Sequence, residues 1–108
     1  MKLLEVSAYD GTFITLADDV VDHIVRKHSE VLAFLTLMRE DFVNLLCKTL
    51  EEPNEVYVDV YKSRYFLKRL NDFYLNVVVS GQSARTAYLI GRKTYSKMRR
   101  KRWLRRLC

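Results

Sequence analysis

At 108 residues, 49% of them hydrophobic and 12% aromatic, the chain is long enough to bury one core and too apolar to stay disordered. No apolar run approaches the about 20 residues of a membrane helix, and Glu5 and Asp10 come too early for the apolar stretch of a signal peptide, so a cytoplasmic location is expected. Cys47 and Cys108 are isolated thiols, the His and Cys spacings do not fit structural zinc, and neither metal nor cofactor is expected. Charge is uneven: residues 1–91 carry ten Lys or Arg against thirteen Asp or Glu, whereas residues 92–108 carry nine basic residues and no acid. A mildly acidic domain over 1–91 with a basic extension over 92–108 points to a polyanionic partner.

In chain order, residues 3–16 read as a short hairpin, with Leu4, Val6 and Ala8 alternating before an Asp10–Gly11 turn and Phe13–Ile14 beginning the return strand. Thr15 is placed as the N-cap of an amphipathic helix over 18–31, with Asp18 and Asp19 at the positive end of its dipole. Val21, Ile24, His28, Leu32 and Leu35 fall on one stripe, so a histidine occupies a core-like position, while His23 has Arg26 and Lys27 within a turn. Two imidazoles beside two cations are suited to phosphodiester cleavage. Ser29 is placed as the cap of a further helix reaching Met38, and residues 40–50 form another, ended by Pro53.

From Glu55 the periodicity changes to alternation. Residues 55–61, 63–70, 73–80 and 85–91 read as strands, with turns at Asn71–Asp72 and Gly81. Residues 92–108 contain good helix formers and an irregular apolar side made of Tyr95, Met98, Trp103, Leu104 and Leu107. The expected fold is α+β: an N-terminal hairpin and helices packed on one face of a roughly four-stranded antiparallel sheet, with a basic C-terminal helix or tail.

A helix carrying DHI-x3-H-x-EV, then TLEEPNEVYVD, then a strand with Arg64 and Tyr65, then LNVVV and a last strand with TAY resembles the phage-associated branch of the barnase–EndoU–colicin–RelE-like ribonucleases. The resemblance covers residues 18–95 and implies a metal-independent endoribonuclease, toxin or phage-borne factor. Carried over by position, its site comprises His23, His28, Arg64, Thr86 and Tyr88. One departure is Lys27-His28-Ser29-Glu30 where Arg-His-Pro-Glu is usual; Lys27 keeps the charge but not the guanidinium fork.

In such a site a histidine moves the 2′-OH or leaving-group proton, Arg26, Lys27 or Arg64 holds the phosphate, and Thr86 or Tyr88 donates a hydrogen bond. The bland alternatives are a satisfied core histidine at His28, an exposed helix residue at His23, and solvated strand cations at Arg64 and Lys68. For the basic segment, Arg92, Lys93, Lys97, Arg99, Arg100, Lys101, Arg102, Arg105 and Arg106 with Trp103 for stacking point first to RNA or DNA. An anionic lipid surface comes second, and an acidic antitoxin or immunity protein third. The competing functions are a non-catalytic RNA- or DNA-binding module that uses the basic segment and, third, a structural or partner-binding protein.

Overall fold

The computed structural model describes residues 3–28 and 39–107; the helix expected to restart at Ser29, and Leu32 and Leu35 of the first stripe, lie outside them. Strands β1 (Leu3–Ser7) and β2 (Phe13–Ala17) pair antiparallel from Leu3↔Ala17 to Ser7↔Phe13. The turn between them follows from its residues. Gly11 takes φ +86°, where a side chain is disfavoured, and the Asp10 carboxylate accepts the Thr12 N–H at 3.1 Å and the Thr12 hydroxyl at 2.7 Å.

Helix α1 (Asp18–Lys27) follows directly, and its N-cap is Ala17, with no side-chain cap. Thr15, expected as the cap, is instead a strand residue: it pairs with Ser83 in a parallel bridge and donates its N–H to the Gln82 carbonyl at 2.6 Å. Sheet pairing takes the backbone that capping would have used. Helix α2 (Arg39–Glu51) buries Phe42, Leu46, Thr49 and Leu50, and ends before Pro53 as expected.

Four strands follow: β3 (Glu55–Val58), β4 (Arg64–Leu70), β5 (Phe73–Ser80) and β6 (Ser83–Ile90). β3 stops three residues short of the expected Tyr61 because Asp59 turns the chain. Its carboxylate accepts the N–H groups of Tyr61 and Ser63, both at 2.9 Å, and Lys62 sits at φ +66°. β6 begins two residues earlier than expected, across a register shift between Val78 and Val79 that lets Ala84 oppose Val79. Residues 92–107 then supply helix α3 (Arg92–Arg100) and a two-residue strand β7 (Arg105–Arg106) paired with β3.

The result is α+β, with a seven-stranded sheet in the order β1-β2-β6-β5-β4-β3-β7, antiparallel except at β2–β6. The expected four-stranded meander is its centre. The hairpin extends one edge and β7 the other, which hydropathy alternation over 55–91 does not reveal. No helix among the described residues is long and apolar enough to cross a membrane.

Alternation divides the sheet into two faces. Val56, Phe66, Leu75, Val77, Val79 and Ala87 turn to one face and pack with Val21 and Ile24 of α1 and Phe42, Leu46 and Leu50 of α2. Burying each large side chain of this core is worth about 1.5–3 kcal/mol. Tyr57, Leu67 and Ile90 turn to the other face and pack with Met98 of α3. The helices therefore flank both faces, because Met98 gives α3 an apolar contact of its own.

Candidate active site

The second face is rich in groups that a core does not need. β4 contributes Tyr65, β5 contributes Tyr74 and Asn76, and β6 contributes Thr86 and Tyr88, with Asn76 opposite Tyr88 and Val78 opposite Thr86 in the register. The chain after α3 folds back over this surface. Between them lies a cavity of about 240 Å³, bounded by Tyr65, Asn76, Tyr88, Lys97, Lys101 and Trp103.

His28 ends α1, its N–H donating to the Ile24 carbonyl at 2.8 Å. Its ring lies 5.6 Å from that of Tyr88, centroid to centroid, tilted by 38°. The sequence stripe placed His28 among core positions, but the helix stops at Lys27 and leaves the imidazole half-buried at the margin of the second face. Beside Tyr88 on this face, two oxygens are buried without a hydrogen-bond partner: Asn76 Oδ1 and Thr86 Oγ1. Leaving such a group unmatched costs about 1–3 kcal/mol. Such a group is accounted for by strain, by a bound water or ion, or by a role in binding or reaction.

Tyr65 is fixed by Asp59, its hydroxyl donating to Oδ2 at 2.8 Å. Burial pushes the Tyr65 phenol up to about 12, reinforced by that bond, the Asp59 charge and Tyr88. Burial works against the charged form of Asp59 as well, but hydrogen bonds from Tyr65, Ser63 and Tyr61 outweigh it and hold the carboxyl below its usual value. Tyr65 is thus a neutral, oriented wall of the cavity.

The cations divide into three groups. Lys97 and Lys101 border the cavity, with Lys101 Nζ 4.8 Å above the Trp103 ring. Lys93, Lys97 and Arg100 lie one above another on α3 and line an exposed groove with Arg92 and Ser96. Arg102 and Arg105 border a third hollow with Lys62 and the turn at Asp59, and the Arg99 guanidinium lies 5.7 Å from the Tyr95 ring. Among the described residues, Arg92 pairs with Asp72 at 3.0 Å and Arg106 with Glu55 at 3.5 Å.

Glu55 joins this segment to the sheet. Almost buried, it accepts the hydroxyl of Tyr57 at 2.6 Å and that of Tyr95, whose ring stacks on Tyr74 at 4.0 Å. Burial raises both phenols above their ordinary value, and the bonds to Glu55 and its charge raise them further.

Of the residues singled out in the sequence, the structure gathers His28, Thr86, Tyr88, Lys97, Lys101 and Trp103 on this side. Arg64 is not with them. It shares the face of Phe66, lies 3.7 Å from the Asp10 carboxylate, and donates to the Gly81 carbonyl at 3.1 Å. Lys68 donates to the Glu52 carbonyl at 2.9 Å, just beyond the end of α2. His23 and Lys27 are exposed on α1, and Arg26 reaches back to the Asp22 carbonyl at 3.4 Å. Sequence reasoning missed Asn76, although its signal was present: an amide inside the apolar run LNVVV. Among the described residues, no three His, Cys, Asp or Glu side chains gather where a metal could be held.

No curated protein and no solved structure gave a significant match to the chain. A family model does match, and it spans both the meander and the segment that carries α3 and β7. The histidine–tyrosine margin, the unmatched oxygens and the lysines thus sit in a domain recognised from residue 5 to residue 106, and the chain belongs to PBECR2, the phage-Barnase-EndoU-ColicinE5/D-RelE like nuclease2 family.

Proposed function

We propose that this nuclease-family protein is an endoribonuclease that cleaves RNA without a metal, by attack of the 2′-hydroxyl on the adjacent phosphorus. The observation that carries the reading is the approach of His28 to Tyr88 at 5.6 Å, beside the unmatched Thr86 hydroxyl. His28 moves the proton, since an imidazole can accept a proton in one step and return it in the next. As the 2′-oxygen bonds to phosphorus its proton leaves; the bond to the 5′-oxygen then breaks and that oxygen is protonated. The products are a 2′,3′-cyclic phosphate and a 5′-hydroxyl end. Tyr88 and Thr86 donate hydrogen bonds to the phosphoryl oxygens, and Lys97 and Lys101 offset the charge that builds on them. RNA is the substrate because the nucleophile is its own 2′-hydroxyl.

The decisive experiment is incubation of the full chain with total RNA in EDTA, beside His28→Ala and the same sequence as DNA. Wild-type cleavage yielding cyclic phosphate ends, an uncut DNA control, and an about 10²–10⁴-fold slower His28→Ala are expected. Cleavage that His28→Ala retains in full would move the chemistry elsewhere. The stripe of Lys93, Lys97 and Arg100 favours one alternative, a non-catalytic RNA- or DNA-binding module. Salt-sensitive RNA binding without cleavage would establish it. A toxin role adds an acidic antitoxin or immunity protein laid over the same stripe, and a cytoplasmic site of action.

A further inference from the structure

The cavity beside Asn76 has a composition that narrows what can fill it. Asn76 is 2% exposed and stands between Leu75 and Val77 in its strand, yet its Oδ1 has no hydrogen-bond partner. A phosphate cannot satisfy that oxygen, because both are acceptors. An aliphatic side chain cannot satisfy it either. An occupant that carries an N–H or O–H donor can, as a single water could. Three rings, Tyr65, Tyr88 and Trp103, line the cavity together with the apolar Ile90, Met98 and Leu104 and the cations Lys97 and Lys101, a lining that suits a planar occupant joined to an anion. At about 240 Å³ the space is smaller than the roughly 300–1,000 Å³ clefts that take drug-sized ligands. It suits one ring system.

We propose that this cavity is a nucleobase subsite in which Asn76 is the specificity-determining residue, reading the hydrogen-bonding edge of a base that stacks against the aromatic walls. Stacking tolerates every base, whereas a single fixed acceptor does not, because each base carries its N–H donors at different places on its edge. Lys97 belongs to both the cavity and the groove along α3, so the phosphates flanking the bound base continue onto Lys93 and Arg100. The proposal rests on RNA as the substrate and adds a preference for the nucleotide beside the cut.

Trp103 is the only tryptophan in the chain and its ring borders the cavity, so its fluorescence reports occupancy directly. The test is titration of the full chain with AMP, CMP, GMP, UMP and ribose 5-phosphate. The expected result is quenching by nucleotides with Kd values that differ by about tenfold or more between the best and worst base, as a well-placed hydrogen bond discriminates, and with ribose 5-phosphate weakest. Asn76→Leu should bring the four Kd values together while raising Tm by several degrees, since it removes an unmatched buried oxygen. Equal Kd values for all four nucleotides and ribose 5-phosphate in the wild type overturn the subsite, whatever the variant does. The readout is separate from catalysis: base-selective quenching without RNA cleavage keeps the subsite and removes the ribonuclease reading, and cleavage with unselective quenching does the opposite.

Discussion

The two faces of the sheet are made by the same strands and do opposite things. On one, Phe66, Leu75, Val77 and Val79 are sealed under α1 and α2 with their apolar surface gone from water. On the other, Leu67 and Ile90 alternate with tyrosines, Asn76, Thr86 and Glu55, under a helix whose buried contribution is Met98. Stability is concentrated on the first face, which leaves the second free to hold polar groups that hydrogen bonding within the protein does not satisfy. A period of two allows this division, because neighbouring residues belong to different environments.

The sharpest way to break that comparison is to damage the apolar face. Phe66→Ala should cost about 3–5 kcal/mol and lower Tm by some tens of degrees, at about 4–8 °C per kcal/mol for a domain near this size. A thermal melt that moves by only a few degrees would mean the core lies elsewhere. A smaller effect should come from Glu55→Gln, which weakens the junction between Tyr57, Tyr95 and Arg106: about 1–3 kcal/mol, expressed as faster amide exchange in α3 and β7 than in β4 and β5. Uniform acceleration would show that the faces unfold as one. The pH dependence has a definite sign. Tyr57 and Tyr95 have folded pKa values raised above their unfolded value, so their contribution is complete below about 10 and is lost as pH rises through the folded values. Near-ultraviolet circular dichroism should therefore show the packing of these tyrosines loosening on the alkaline side.

Much of the first face was legible in the sequence. The meander follows from β-branched alternation between the turns at Asn71 and Gly81, both of which adopt positive φ. The Asp10–Gly11 turn and the body of α1 follow from equally local chemistry. What could not be read depends on distant partners. Thr15 has every property of a cap until Ser83 is placed beside it. Arg105 and Arg106 have no strand propensity worth noting, and become a strand because the β3 edge is open to them. Arg64 lies in a strand of the right kind, but the parity it shares with Phe66 sends it to the face of α1 and α2, where Asp10 and the Gly81 carbonyl hold it. Thr86 and Tyr88 share parity on the other face, as alternation required, and His28 reaches Tyr88 from a helix end that helical periodicity alone had carried further. Asn76 was visible as an oddity; only burial and its missing partner give it meaning.

The short strand β7 has a consequence for how copies of the protein meet. The outer edge of a sheet invites another chain to add a strand, and a long apolar edge is an aggregation site. β7 covers Tyr57 and Val58 and, through the Leu107 N–H to the Val56 carbonyl at 2.7 Å, one residue more. In place of that apolar stretch it presents Arg105 and Arg106, charged side chains of the kind that disfavour the addition of another strand. Cutting the chain after Gly91 removes this cover along with the lysines, so such a truncation changes the sheet edge as well as the charge. Size-exclusion chromatography should find the truncated chain associating while a full chain with Lys93, Lys97 and Arg100 changed to Gln stays dispersed; two monomeric species would mean the arginine edge is not what keeps the molecules apart.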